Sequence, residues 1–123
     1  VSTIYNIQQI LSGTATNVGA ATEIQLAIGD SVKTVVVDRV KLHHTAGAAA
    51  SFTPRIHSAT GGTAEATSQE FAASSTLVAI LCDVAASGVI CKTDATGKLY
   101  LMPVPNTGAD NTFDWLVAYR VLA

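Results

Sequence analysis

Residues 112–122 read TFDWLVAYRVL. Phe113, Trp115, Val117, Tyr119 and Val121 share one parity; Asp114, Leu116, Ala118, Arg120 and Leu122 share the other. A period of two sustained over ten residues marks a strand with one buried face. A helix would scatter these aromatic and β-branched residues around its axis, and they are strand-favouring types. Trp115, the sole tryptophan, is expected in the core. The segment is expected to close the fold as its last strand, and the rest of the chain must supply a second apolar layer against it.

Working outward, residues 99–104 (LYLMPV) form a strand with Leu99 and Leu101 inward, ended by Pro103 and Pro105. The polar stretch 106–111 leads from it into the last strand. Residues 93–98 (TDATGK) place Gly97 near a hairpin turn. Residues 75–83 (STLVAILCD) are apolar on both parities, which predicts a central strand covered on both sides. Residues 89–92 are its expected return, around a turn near Ala86 and Ser87. Cys82 and Cys91 bracket that hairpin. They are either a disulfide, if their Cα atoms come within about 7 Å, or two buried thiols acting as small hydrophobes.

Towards the N-terminus the signals are mixed. In residues 23–29 (EIQLAIG), Ile24, Leu26 and Ile28 alternate with Glu23, Gln25 and Ala27, as in a strand with a solvent face. Residues 33–44 (KTVVVDRVKLHH) change phase: Val35 and Val37 have one parity, Val40 and Leu42 the other. A β-bulge or corner at Asp38–Arg39 returns both halves to the core. Residues 45–50 are a loop of small side chains. In residues 51–58 (SFTPRIHS), Phe52, Pro54 and Ile56 alternate, and Pro54 predicts an edge or a break. Residues 59–68 read as a loop reversing at Gly61–Gly62, and residues 69–73 as a short strand or helical turn. Residues 13–22 (GTATNVGAAT) read as a flexible connector. Residues 1–12 are an edge strand or N-terminal arm rich in side-chain amides, with a short helix as the competing reading. The whole, residues 1–123, is expected to be a single all-β domain: a two-sheet antiparallel sandwich, jelly-roll-like, of eight or nine short strands.

Composition narrows the function. Of the 123 residues 49% are apolar and 13% charged, with a net charge of −2; ordinary globular chains carry about twice that charge. The basic residues are single, so neither nucleic acid nor an anionic membrane is an expected partner. No apolar run reaches the roughly 20 residues that span a bilayer as a helix. No charged region followed by an apolar block opens the chain, so no signal peptide is expected. A start at Val1 fits a trimmed initiator methionine or a removed leader. A weakly charged surface of Ala, Thr, Ser and Gly suits a protein partly covered by neighbours.

Chemical motifs are absent. There is no GxSxG, no phosphate-cradling loop and no glycosylation sequon. The carboxylates are scattered, whereas a glycosidase needs two across a cleft. His43 and His44 are adjacent and point to opposite faces of a strand. A hairpin could bring one of them near His57, but two histidines fall short of a metal's usual ligand set. They read as surface or intersubunit histidines. No enzyme, cofactor or metal is expected. Tyr5 and Tyr100 are expected to be exposed, as a sugar platform or as covers for a sheet or interface.

The Ala/Thr/Gly loops HTAGAAASFTP and SATGGTAEAT, the low charge, the N-terminal Val1 and the terminal WLVAYRVL strand together resemble small virion proteins of tailed bacteriophages: head decoration (cement) proteins and fibre domains. The resemblance implies a non-enzymatic structural protein of the virion, assembled in the host cytoplasm. It also implies a homo-oligomer, a trimer by preference, that clamps the major capsid protein or other virion subunits. A fibre or receptor- and carbohydrate-binding module is the alternative. The expected partner contacts are Tyr5, Asn6, Gln8 and Gln9 of the arm, then His43, His44, Phe52, His57 and Tyr100.

Overall fold

In the computed structural model, which describes residues 7–58, 64–67, 70–73, 80–82 and 89–122, eleven strands and no helix are found. They are β1 (Gln9–Val18), β2 (Ile24–Ala27), β3 (Thr34–Ala46), β4 (Ser51–Phe52), β5 (Arg55–His57), β6 (Ala64–Thr67), β7 (Phe71–Ala72), β8 (Ile80–Cys82), β9 (Val89–Lys92), β10 (Lys98–Met102) and β11 (Asn111–Val121). Every pairing is antiparallel. The first sheet runs β1-β11-β3, with β8 and β9 both along the far side of β3; the second runs β2-β10-β5-β6, and β4 pairs with β7.

Six of the strands fall into three pairs that lie in line, β4/β5, β6/β7 and β8/β9. Thr53 and Pro54 separate β4 from β5, as the missing proline N–H requires, and the same two strands pair in turn with β7 and β6. Counting β4/β5, β6/β7 and β8/β9 once each leaves eight strands. The first sheet then takes the first, eighth, third and sixth, and the second takes the second, seventh, fourth and fifth. That is jelly-roll order.

The core lies between the sheets. Leu26, Ile56, Leu99 and Leu101 come from the second sheet, and Val35, Val37, Val40, Leu42, Phe113, Val117, Tyr119 and Val121 from the first. Phe52 seals one end, edge-on to Phe113 with ring centroids 5.1 Å apart. Each fully buried aliphatic or aromatic side chain here contributes about 1.5–3 kcal/mol.

The phase change in β3 is a bulge. Arg39 lies opposite Ala118 and Val37 opposite Tyr119, so Asp38 is the extra residue. This returns Val35 and Val37 to the face that Val40 and Leu42 already occupy. Ile24, Leu26 and Ile28 also turn inward as their alternation predicts.

Other expectations are corrected. β1 begins at Gln9 and runs through residues 13–18, which composition marks as a connector; pairing with β11 overrides the low strand preference of glycine and alanine. The last strand closes the fold as expected, and does so from the middle of its sheet, between β1 and β3. Trp115 is half-buried at the margin of the core. β8 is no central strand: among the described residues nothing pairs with its other side. Nor are β8 and β9 a hairpin. Residues 80–82 lie opposite 42–40 and residues 89–92 opposite 37–34, so both run the same way along one edge of the thirteen-residue β3. Gly97 does not close a hairpin either, because β9 and β10 belong to different sheets. Its carbonyl accepts the N–H groups of Ile28 and Gly29 at 2.9 and 3.0 Å, which ties the crossover to the end of β2. With φ at +79° and the Gly29 carbonyl 2.4 Å from where a Cβ would stand, only glycine fits. Residues 64–67, read as loop, form β6. The reversals expected at Gly61–Gly62 and near Ala86 lie outside the described residues.

The register decides the cysteines. Cys82 lies opposite Val40 and Cys91 opposite Val35. Five residues of strand separate the two by roughly 15 Å, about twice the reach of a disulfide. An intrachain Cys82–Cys91 bridge is therefore excluded. The monomer should show no intrachain disulfide in intact and peptide mass spectra, even after mild oxidation. A linked Cys82–Cys91 peptide would contradict the register.

Candidate interaction surface

The residues expected to meet partners divide sharply. Phe52 is fully buried and belongs to the core. Tyr100 is 6% exposed, and its hydroxyl donates to Asp94 Oδ2 at 2.7 Å, so it is not a sugar platform. That carboxylate also accepts from Thr96 Oγ1, Thr96 N and Lys98 N. These bonds, the Thr96 hydroxyl foremost, hold it well below the usual carboxylate range. His57 is buried opposite Tyr100 on β5. His44 is buried on β3. The two lie in different sheets, and no cluster of histidine, cysteine and carboxylate able to hold a metal is present among the described residues. Tyr5 and Asn6 lie outside those residues.

His44 belongs to a polar knot built on Asn111. The Asn111 amide nitrogen donates to the carbonyls of Val18 and Thr107, both at 3.0 Å. Its oxygen accepts from Ala49 N at 3.0 Å and meets His44 Nε2 at 2.9 Å. Two carbonyls on one side and an N–H on the other fix the amide's orientation, so His44 Nε2–H donates to the Asn111 oxygen. Asn111 is 0% exposed and ties the end of β1, the loop after β3 and the loop before β11 to one another. Sequence reasoning missed it because one asparagine in a polar loop looks like any other.

Of the remaining predicted residues, Gln8 and Gln9 adjoin an open edge, and His43 lies two strands away on the outer face of the same sheet. Gln8 is exposed, and its amide donates to Asp38 Oδ2 at 3.4 Å. Gln9 starts β1 opposite Tyr119. His43, half-buried, faces away from the core opposite Asp114, and its Nε2 has no hydrogen-bond partner among the described residues. Asp114 in turn accepts from Thr14 Oγ1 at 2.7 Å. On the same outer face Arg120 grips Asp38 through Nε and a terminal nitrogen, the shortest contact being 2.9 Å. The Arg120 hydrogen bonds hold the Asp38 carboxyl below its ordinary range.

Among the described residues only β11 pairs with β1, which leaves the strand's other edge open. Its sequence, QILSGTATNV, contains no charged residue and no proline. Ile10 is 57% exposed on the outer face, and Ile7 just before the strand 59%. On the inner face Gly13 lies opposite Trp115, whose indole lies 3.1–3.2 Å from the position a Gly13 Cβ would take. The indole thus reaches across β1 towards the sheet margin. The absence of charge from residues 9–18 was visible in the sequence, but its meaning depends on knowing that they form an edge strand.

No family model and no curated protein matches the chain. Among solved structures it is similar to a chain of the Bacillus endospore appendages, described as a family of disulfide-linked pili, with a TM-score of 0.38 and 16% identity over 95% of this chain and 88% of that one. A likeness at that level has no bearing on function.

The polar knot makes a direct prediction. Asn111→Ala strands two carbonyls and two N–H groups, and a buried group left unsatisfied costs about 1–3 kcal/mol. Denaturant titration should show a loss of at least about 3 kcal/mol. A loss under about 1 kcal/mol would show that the knot is not what holds these loops.

Proposed function

We propose that this chain is a structural subunit and not an enzyme, one that joins copies of itself through the open β1 edge and acts by covering the surface of a larger particle. The observation that carries this reading is the ten-residue edge strand without charge or proline. An open edge is a template for another strand, and proteins that stay monomeric guard it with lysine, proline or a bulge; the irregularity of β1 falls only between Ala15 and Val18 and leaves Gln9 to Ala15 regular. This chain has seven Lys/Arg and nine Asp/Glu and spends none of them there.

The particle we propose is a tailed-phage virion, with the chain decorating the head beside the major capsid protein. The resemblance of its loops and composition to decoration proteins supports this. Such a protein needs no reaction centre. Apolar area buried at each joint stabilises by about 25 cal/mol per Å² before the cost of association, and closed symmetry repeats the gain.

Native mass measured across a wide dilution series tests the reading. The wild type should be an oligomer that dissociates on dilution. Ile10→Lys combined with Thr14→Lys, both exposed, should keep the circular dichroism spectrum and lose the oligomer. Wild-type protein added to phage heads lacking their decoration subunit should sediment with them. A monomer at every concentration that ignores such heads would contradict the proposal.

A further inference from the structure

The occupant of the β1 edge follows from the strand's own layout. Its pairing with β11 is in unbroken register from Gln9 to Ala15, and the register shifts only between Ala15 and Val18, where Asn17 takes a φ of 53°. The straight stretch therefore has seven residues, with Ser12 at its centre. We infer that β1 pairs antiparallel with β1 of a second copy about a two-fold axis through Ser12, joining the two first sheets into one. This deepens the self-association proposed above and rests on it.

The residues complement each other in that arrangement. Gln9 lies opposite the second copy's Ala15, Ile10 opposite Thr14, Leu11 opposite Gly13, and Ser12 opposite Ser12. No charge meets a like charge, because the strand carries none. On the inner face the Trp115 indole already covers Gly13, so each half-buried Leu11 packs against the edge of the other copy's indole. On the outer face the exposed Ile10 covers the Thr14 methyl. Two antiparallel strands of seven residues form about seven main-chain hydrogen bonds, within the roughly five to fifteen of an ordinary interface. Binding energy at an interface concentrates in a few well-packed residues near its centre, tryptophan prominent among them. Because the same patch serves both partners, the contact is isologous and closes at two copies.

Cysteine scanning tests the axis. Ser12→Cys places two thiols on it, with Cα atoms about 4.5–5.5 Å apart and within disulfide reach. Thr16→Cys, also exposed on the same strand, places them about 25 Å apart. Under mild oxidation Ser12→Cys should become a covalent dimer at least about tenfold faster than Thr16→Cys. Emission of Trp115, the only tryptophan, should stay blue-shifted on dilution of the linked dimer and move red on dilution of the wild type. Melting curves check that both variants fold. Equal rates for the two variants would overturn the inference. An oligomeric wild type with no Ser12→Cys dimer would overturn it too, while leaving self-association by another surface standing. A monomeric wild type would remove both readings.

Discussion

The pairing of β3 with β11 fixes the rest of the structure. It runs from Ala46 opposite Thr112 to Val35 opposite Val121 and places both strands in the middle of the first sheet. A strand has two faces, and a slip of one residue exchanges them. β3 would bury Asp38 or expose two valines if it were regular throughout. The bulge at Asp38 absorbs the odd residue, keeps Val35, Val37, Val40 and Leu42 on one face, and leaves the carboxylate on the other, where Arg120 meets it. β1 takes its register from one side of this pair, and β8 and β9 take theirs from the other.

What the sequence makes legible is what depends on local alternation. The parity of residues 113–121, the phase change at Asp38, the inward row Ile24–Leu26–Ile28 and the break at Pro54 each follow from a few neighbouring residues, and together they carry the all-β, jelly-roll reading. What stays hidden depends on distant partners. Residues 13–18 have connector composition and become strand because β11 lies beside them. β8 and β9 look like a hairpin because nothing local says that a single long neighbour accepts both in line.

The candidate site was legible only in part, for the same reason. Tyr100, His44 and His57 are polar enough to be expected at a surface, yet Tyr100 and His44 satisfy their polar atoms against Asp94 and Asn111 within the fold, and all three are buried. The arm residues Gln8 and Gln9 do adjoin the open edge. Trp115 links core and edge: one side packs on the hydrophobic cluster, while the indole covers Gly13 at the sheet margin. The glycine there leaves room for the indole, which carries an apolar surface from the core out to the open edge.

The account stands on β1 being an occupied edge when copies are together. Amide hydrogen exchange read residue by residue across Gln9–Ala15 measures that directly. In a free edge strand alternate N–H groups face solvent and exchange fast; pairing with a second strand protects them. The account predicts that the outward-facing amides of this stretch slow markedly in concentrated, associated protein and recover on dilution, while those already bonded to β11 change little. Fast exchange of the same amides at every concentration in an associated sample would contradict it.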